Sequence, residues 1–173
     1  VMVFFKFVIS IGIIAGCSYI GIYKSKALKS REYILRDMVT FLGLVENEIK
    51  YMLSILPNAY ESARQKLITS LKDKMGIIVV DMLNLENEYL IDQSIVKNIS
   101  DIKEITDYDK NVFISTLKNL GRTDLEGQIN IIENGINIIE NQIKEANDIK
   151  LKNSKLYKTV GAIAGIMIVI ICI

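Results

Sequence analysis

The chain has 173 residues, with 21 basic and 20 acidic side chains, a formal charge of +1, and neither histidine nor tryptophan. Without histidine the usual general base and the commonest metal ligand are missing, so no catalytic residues, no metal and no cofactor are expected. Residues 32–149 hold all 20 acidic residues but only 12 of the basic ones, a formal charge of −8, and such a body is unsuited to nucleic acid, which requires clustered Lys and Arg.

An apolar run from Phe7 to Tyr23 opens the chain, and Val1 to Phe5 lengthen it around the single charge of Lys6. Roughly 20 apolar residues cross a hydrocarbon core of about 30 Å, so residues 1–23 predict a transmembrane helix. A second run, Thr159 to Ile173, predicts another over 159–173. Lys24, Lys26, Lys29 and Arg31 follow the first run, and Lys150, Lys152, Lys155 and Lys158 precede the second. Basic residues beside a span stay on the cytoplasmic side, which places the body, residues 24–158, in the cytoplasm with its two collars against anionic lipid headgroups. Gly12 with Gly16, and Gly161 with Gly165, are small residues one turn apart that suit close packing of membrane helices. A different reading starts from Ile14-Ala15-Gly16-Cys17, which has the form of a lipoprotein cleavage box; processing at Cys17 would make the protein an extracytoplasmic, lipid-anchored tether.

In the body, Leu35, Met38, Leu42, Val45, Ile49 and Met52 recur at intervals of three and four, with Phe41, Leu44 and Leu53 beside them. This is the stripe of a packed helix, and it stops near Ser54 because Pro57 suits the first turn of a new helix better than the interior of an old one. The second helix is predicted over Pro57 to Leu71. Ile77 to Leu85 and Ile91 to Ile105 are read as further helices, although Gly76-Ile-Ile-Val-Val80 has a β-branched, strand-like composition. Thr106-Asp107-Tyr108-Asp109 marks the next helix start. Gly121 suits a left-handed cap, and Thr123-Asp124-Leu125-Glu126 reads as a capping box that opens a long helix carrying Leu125, Ile129, Ile132, Ile136, Ile139, Ile143 and Ala146. The fold class is therefore all-α, a bundle of about six helices whose first and last members continue into the terminal transmembrane segments.

Two stretches carry a family resemblance. Leu44-Val-Glu46-Asn-Glu48-Ile49-Lys-Tyr51 followed by Pro57-Asn-Ala59, and Leu120-Gly121-Arg122-Thr123-Asp124-Leu125-Glu126-Gly127-Gln128 leading through a long helix to Lys155-Leu-Tyr-Lys-Thr-Val-Gly161, resemble the N- and C-terminal signatures of the stage III sporulation protein AB family. The resemblance covers the chain in order. It implies a platform protein in the mother-cell membrane around the forespore, with its body facing the mother-cell cytoplasm and resembling the cytoplasmic domains of type II secretion and type IV pilus platform proteins. The implied partners are the hexameric ATPase of the same complex, stage III sporulation protein AA, and other membrane subunits.

Glu46 and Glu48 lie two apart on a helix and so point to different flanks, which argues against a paired-carboxylate acid/base site. Each is read as a solvated or ion-paired helix residue, or as a contact to a basic patch on the ATPase. Turn geometry and capping account for Gly121, Thr123 and Asp124, which leaves Arg122 and Gln128 as the better candidates for partner contacts.

Overall fold

The computed structural model describes the backbone of residues 29–172 and the side chains of residues 29–152. Among the described residues there are six helices and no strand: α1 (29–52), α2 (Leu56–Arg64), α3 (Leu71–Asn84), α4 (Glu88–Ser100), α5 (Asp107–Asn119) and α6 (Leu125–Cys172). The chain forms two compact units, Arg31–Glu145 and a second made of Val1–Ser30 with Ala146–Ile173. The first lies within the predicted body, residues 24–158. Of the second, the described residues are 29–30 of α1 and the stretch of α6 from Ala146, whose helical backbone continues unbroken to Cys172.

Among the described residues no helix is long and apolar enough to cross a membrane. The first apolar run, with Gly12, Gly16 and Cys17, lies outside the described residues, as do the side chains of the second run, with Gly161 and Gly165.

In the unit Arg31–Glu145, successive helices run antiparallel. Glu48 on α1 meets Ser62 on α2, Asp81 on α3 meets Ser94 on α4, Asp92 on α4 meets Lys118 on α5, and a Cβ at Gly135 of α6 would lie 2.6 Å from the Thr116 hydroxyl of α5. The core centres on α1, where Ile34, Leu35, Met38, Phe41, Leu42, Val45 and Ile49 are buried as their three-four spacing requires. Phe41 meets Tyr60 of α2 edge-on at 5.1 Å between ring centroids and Phe113 of α5 at 6.1 Å. These are the separations at which aromatic edges and faces attract, so one side chain ties three helices together.

Four local expectations change. Met52 and Leu53 are exposed rather than part of the stripe, because α1 ends at residue 52. The second helix stops at Arg64 instead of Leu71, since the amides of Ile68 and Thr69 leave the helix to bond Asp37 on α1. The third change is one of bounds: the helices read over Ile77–Leu85 and Ile91–Ile105 run over Leu71–Asn84 and Glu88–Ser100, while the β-branched run 76–80 is helical as read, because Leu71, Met75, Ile78 and Val79 supply a buried helical face that outweighs local propensity. Finally, the cap of α6 sits one residue later than read from sequence: Asp124 Oδ1 accepts from Gly127 N at 3.0 Å, and the Thr123 hydroxyl donates to that same oxygen at 3.2 Å. A carboxylate is the stronger acceptor for a helix-terminal amide, so Asp124 displaces Thr123, and Glu126 falls outside the box.

Candidate functional site

The two ends of the bundle are built from different chemistry. At one end, α1 emerges beside the start of α5 and the returning turns of α6. Arg31 lies there in a bidentate pair with Asp109, Nε to Oδ2 at 2.8 Å and Nη2 to Oδ1 at 3.1 Å. The Arg31 guanidinium also donates to Gln142 Oε1 at 3.3 Å, with Glu145 at 3.9 Å. Asp109 is fully buried and serves twice, because it is also the third residue of a capping box on α5: its Oδ2 accepts from Thr106 N at 3.0 Å, and its own amide donates to the Thr106 hydroxyl at 3.2 Å. Burial pulls the Asp109 carboxyl upward, but the hydrogen bonds from Arg31 and Thr106 outweigh it and hold the group below the usual aspartate range. α1, α5 and α6 are thus fastened at one buried point. Arg31 belongs to this lock and not to a lipid-facing collar.

Asp37, two turns along α1, receives three hydrogen bonds on Oδ2, from Ile68 N (3.0 Å), Thr69 N (2.7 Å) and the Thr69 hydroxyl (2.7 Å). It secures the turn between α2 and α3 at the same end. Lys74 and Asp101 pair nearby and join α3 to the end of α4. Among the described residues every buried side-chain nitrogen or oxygen has a hydrogen-bond partner.

The opposite end, here the tip, gathers the α1–α2, α3–α4 and α5–α6 turns. Glu48 accepts from the Ser62 hydroxyl at 2.7 Å and from the Ser54 hydroxyl at 2.9 Å, and these bonds, Ser62 first, lower its pKa. Ser54 N donates to Glu48 O at 3.1 Å, and between them Leu53 takes the left-handed conformation, φ 50°. Glu46 pairs at 3.9 Å with Lys50, whose ammonium also stands 5.6 Å from the Tyr51 ring centroid. Gly121 has φ 82° and packs so closely on Leu56 that a Cβ would come within 2.7 Å of it. Arg122 reaches α4, with Asp92 at 3.0 Å and Glu88 at 3.2 Å. Gln128 spans the α5–α6 turn, accepting from Gly121 N at 3.2 Å and donating to Thr123 O at 3.1 Å. Pro57 stands in the first turn of α2, where its missing N–H leaves no bond unmade.

Every predicted site residue of the body is therefore at the tip. Intramolecular bonds occupy Glu48, Arg122 and Gln128; the last two lock the turn that the signature encodes. Sequence reasoning gave Arg31 and Asp109 other places, in a basic collar and at a helix start, and missed Asp37; it read none of the three as a tie between helices. The available signal was slight: Arg31 is the one arginine among four basic residues after the first apolar run, and a planar fork suits a carboxylate in a way that lysine does not.

Surface grooves offer little chemistry. One of about 450 Å³ lies between α1 and α6, lined by Arg36, Val39, Thr40, Glu140, Ile143 and Lys144. Another of about 380 Å³ runs along α4 and includes Tyr89, Val96 and Lys118. Among the described residues no group of His, Cys, Asp or Glu is placed to hold a metal.

The family model for stage III sporulation protein AB matches residues 6–173. The chain belongs to that family. No curated protein and no solved structure matches it. Membership brings a role in sporulation, and within it the Gly121-to-Gln128 signature has a physical account in this fold: a left-handed cap, a cap on α6, and two long side chains that brace the turn between them.

Proposed function

We propose that this protein is a non-enzymatic platform of the sporulation complex, held in the mother-cell membrane by its two apolar runs and coupling a cytoplasmic ATPase to membrane subunits. The observation that carries the reading is the Arg31–Asp109–Gln142 lock. It fastens α1 and α6 at the end of the bundle from which the chain leads, in both directions, toward the apolar runs. A load applied elsewhere on the bundle would reach both segments together instead of prying one helix from the other. The lysines flanking the apolar runs and the acidic body between them support the orientation, with the body in the cytoplasm and basic groups near anionic lipid.

The test is topological. With Cys17 and Cys172 replaced by serine, a single cysteine at Asp73, an exposed residue of α3, is challenged with a membrane-impermeant maleimide in intact vegetative cells made to express the chain, whose outer face is open to the reagent. Protection until the cells are opened is the expected result. Labelling from outside would overturn the platform reading and make a tether processed at Cys17 the leading account.

A further inference from the structure

The tip carries a feature that the fold does not use. Tyr51, Met52, Leu53 and Ile55 are 71%, 73%, 76% and 65% exposed, consecutive in the chain but for Ser54, and Tyr89, Leu90 and Leu125 are exposed on the adjoining turns. Scattered exposed apolar residues need no explanation, but a cluster at one end does. The cluster is also held outward. Leucine in the left-handed region is a strained conformation, and here the Ser54–Glu48 backbone bond and the Glu48 carboxylate, bonded to Ser54 and Ser62, enforce it.

The surrounding charge identifies the occupant. Glu46, Glu48, Glu86, Glu88, Asp92, Asp124 and Glu126 border the tip, against Lys50, Lys118 and Arg122. Each of the three cations is already paired with a tip carboxylate. Glu86 and Glu126 are exposed and have no cationic partner among the described residues. A second copy brought tip to tip would set like charges against each other, whereas a surface with apolar side chains ringed by Lys and Arg would complement both features.

The geometry points to the tip, centred on Tyr51–Ile55 and rimmed by Glu86 and Glu126, as the docking surface for a protein partner that presents an apolar patch within a basic ring. This rests on the platform reading for the partner's identity, the ATPase of the complex, and deepens it by locating the contact at the end of the bundle opposite the lock.

The full chain in lipid nanodiscs is titrated with the purified ATPase of the sporulation complex at low and high salt. Leu53→Asn removes the most exposed apolar side chain of the turn yet suits a left-handed backbone, and should weaken binding at least tenfold. Glu86→Lys with Glu126→Lys should weaken it several-fold and flatten its salt dependence. Tyr108→Ala, an exposed aromatic at the lock end, should leave binding unchanged, and helical circular dichroism should match wild type throughout. Wild-type binding that survives both tip changes overturns the tip assignment while the platform reading stands. Absence of wild-type binding overturns both. Self-association that is lost with Leu53→Asn assigns the tip to a second copy and overturns the basic partner.

Discussion

The lock and the tip use the same residue types to opposite ends. At the lock, carboxylates are buried and saturated: Asp109 takes a guanidinium and a backbone amide, and Asp37 takes two amides and a hydroxyl. At the tip, carboxylates stand at the surface around exposed apolar side chains. Losing one partner of a buried charge leaves an uncompensated ion in low dielectric, whereas an exposed pair is worth little. The lock is therefore where substitutions should unfold the protein, and the tip where they should change what it binds.

Arg31→Met should show the largest effect. It strands Asp109 in the core and should cost about 3–5 kcal/mol, read from denaturant unfolding of the full chain in detergent. Its pH dependence separates a charge effect from lost packing. In wild type the folded pKa of Asp109 is depressed, so its contribution is fully present above the unfolded value of about 3.9 and is lost only as pH falls through the lower folded value. In the variant only the Thr106 bonds still oppose burial, so the folded pKa is expected to rise. Its deficit should be greatest at neutral pH and shrink as pH falls toward 4, a slope that wild type lacks. A deficit independent of pH would show that Arg31 acts by packing alone.

Asp37→Ala comes next. It leaves the Ile68 and Thr69 amides without their acceptor and should cost about 1–3 kcal/mol. Faster hydrogen exchange confined to residues 65–71 would localise the loss, and uniform exchange would contradict the assignment. Gly121→Ala, at the tip, should cost about 1–2 kcal/mol, because alanine is disfavoured at φ 82° and its methyl meets Leu56. Arg122→Ala should fall below about 1 kcal/mol, since its pairs with Glu88 and Asp92 lie at the surface. An Arg122→Ala cost equal to that of Arg31→Met would erase the distinction between the two ends.

The same contrast separates what was readable in the sequence from what was not. The helical rhythm placed α1 and α6 and most of the α1 core, because apolar periodicity is a local property of packed helices. Thr106 with Asp109, and Gly121, were readable for the same reason: caps are written within a few residues. The lock was not readable. Arg31 and Asp109 are 78 residues apart, and nothing in either neighbourhood marks the other. The end of α2 failed for a related cause, since Asp37, more than thirty residues away, takes the amides that would have extended it. The Asp124 cap was missed by one position, because adjacent Thr and Asp both make good caps and only the three-dimensional hydrogen bond chooses between them.

Leu53→Asn should have the smallest effect on stability, and its sign is informative. A core leucine would lose several kcal/mol on such a change, but Leu53 is largely in water, so little burial is lost. Its backbone lies in a region where leucine is strained by roughly 1 kcal/mol and asparagine is at ease. The variant should therefore unfold at the same denaturant concentration as wild type or slightly higher, while partner binding falls. Natural sequences are constrained to fold and to function together, and a contact at the proposed docking surface would account for a strained, solvent-facing leucine that stability alone would replace. Destabilisation by more than about 1 kcal/mol would mean that Leu53 packs within the bundle in solution, and the tip would lose its strongest residue.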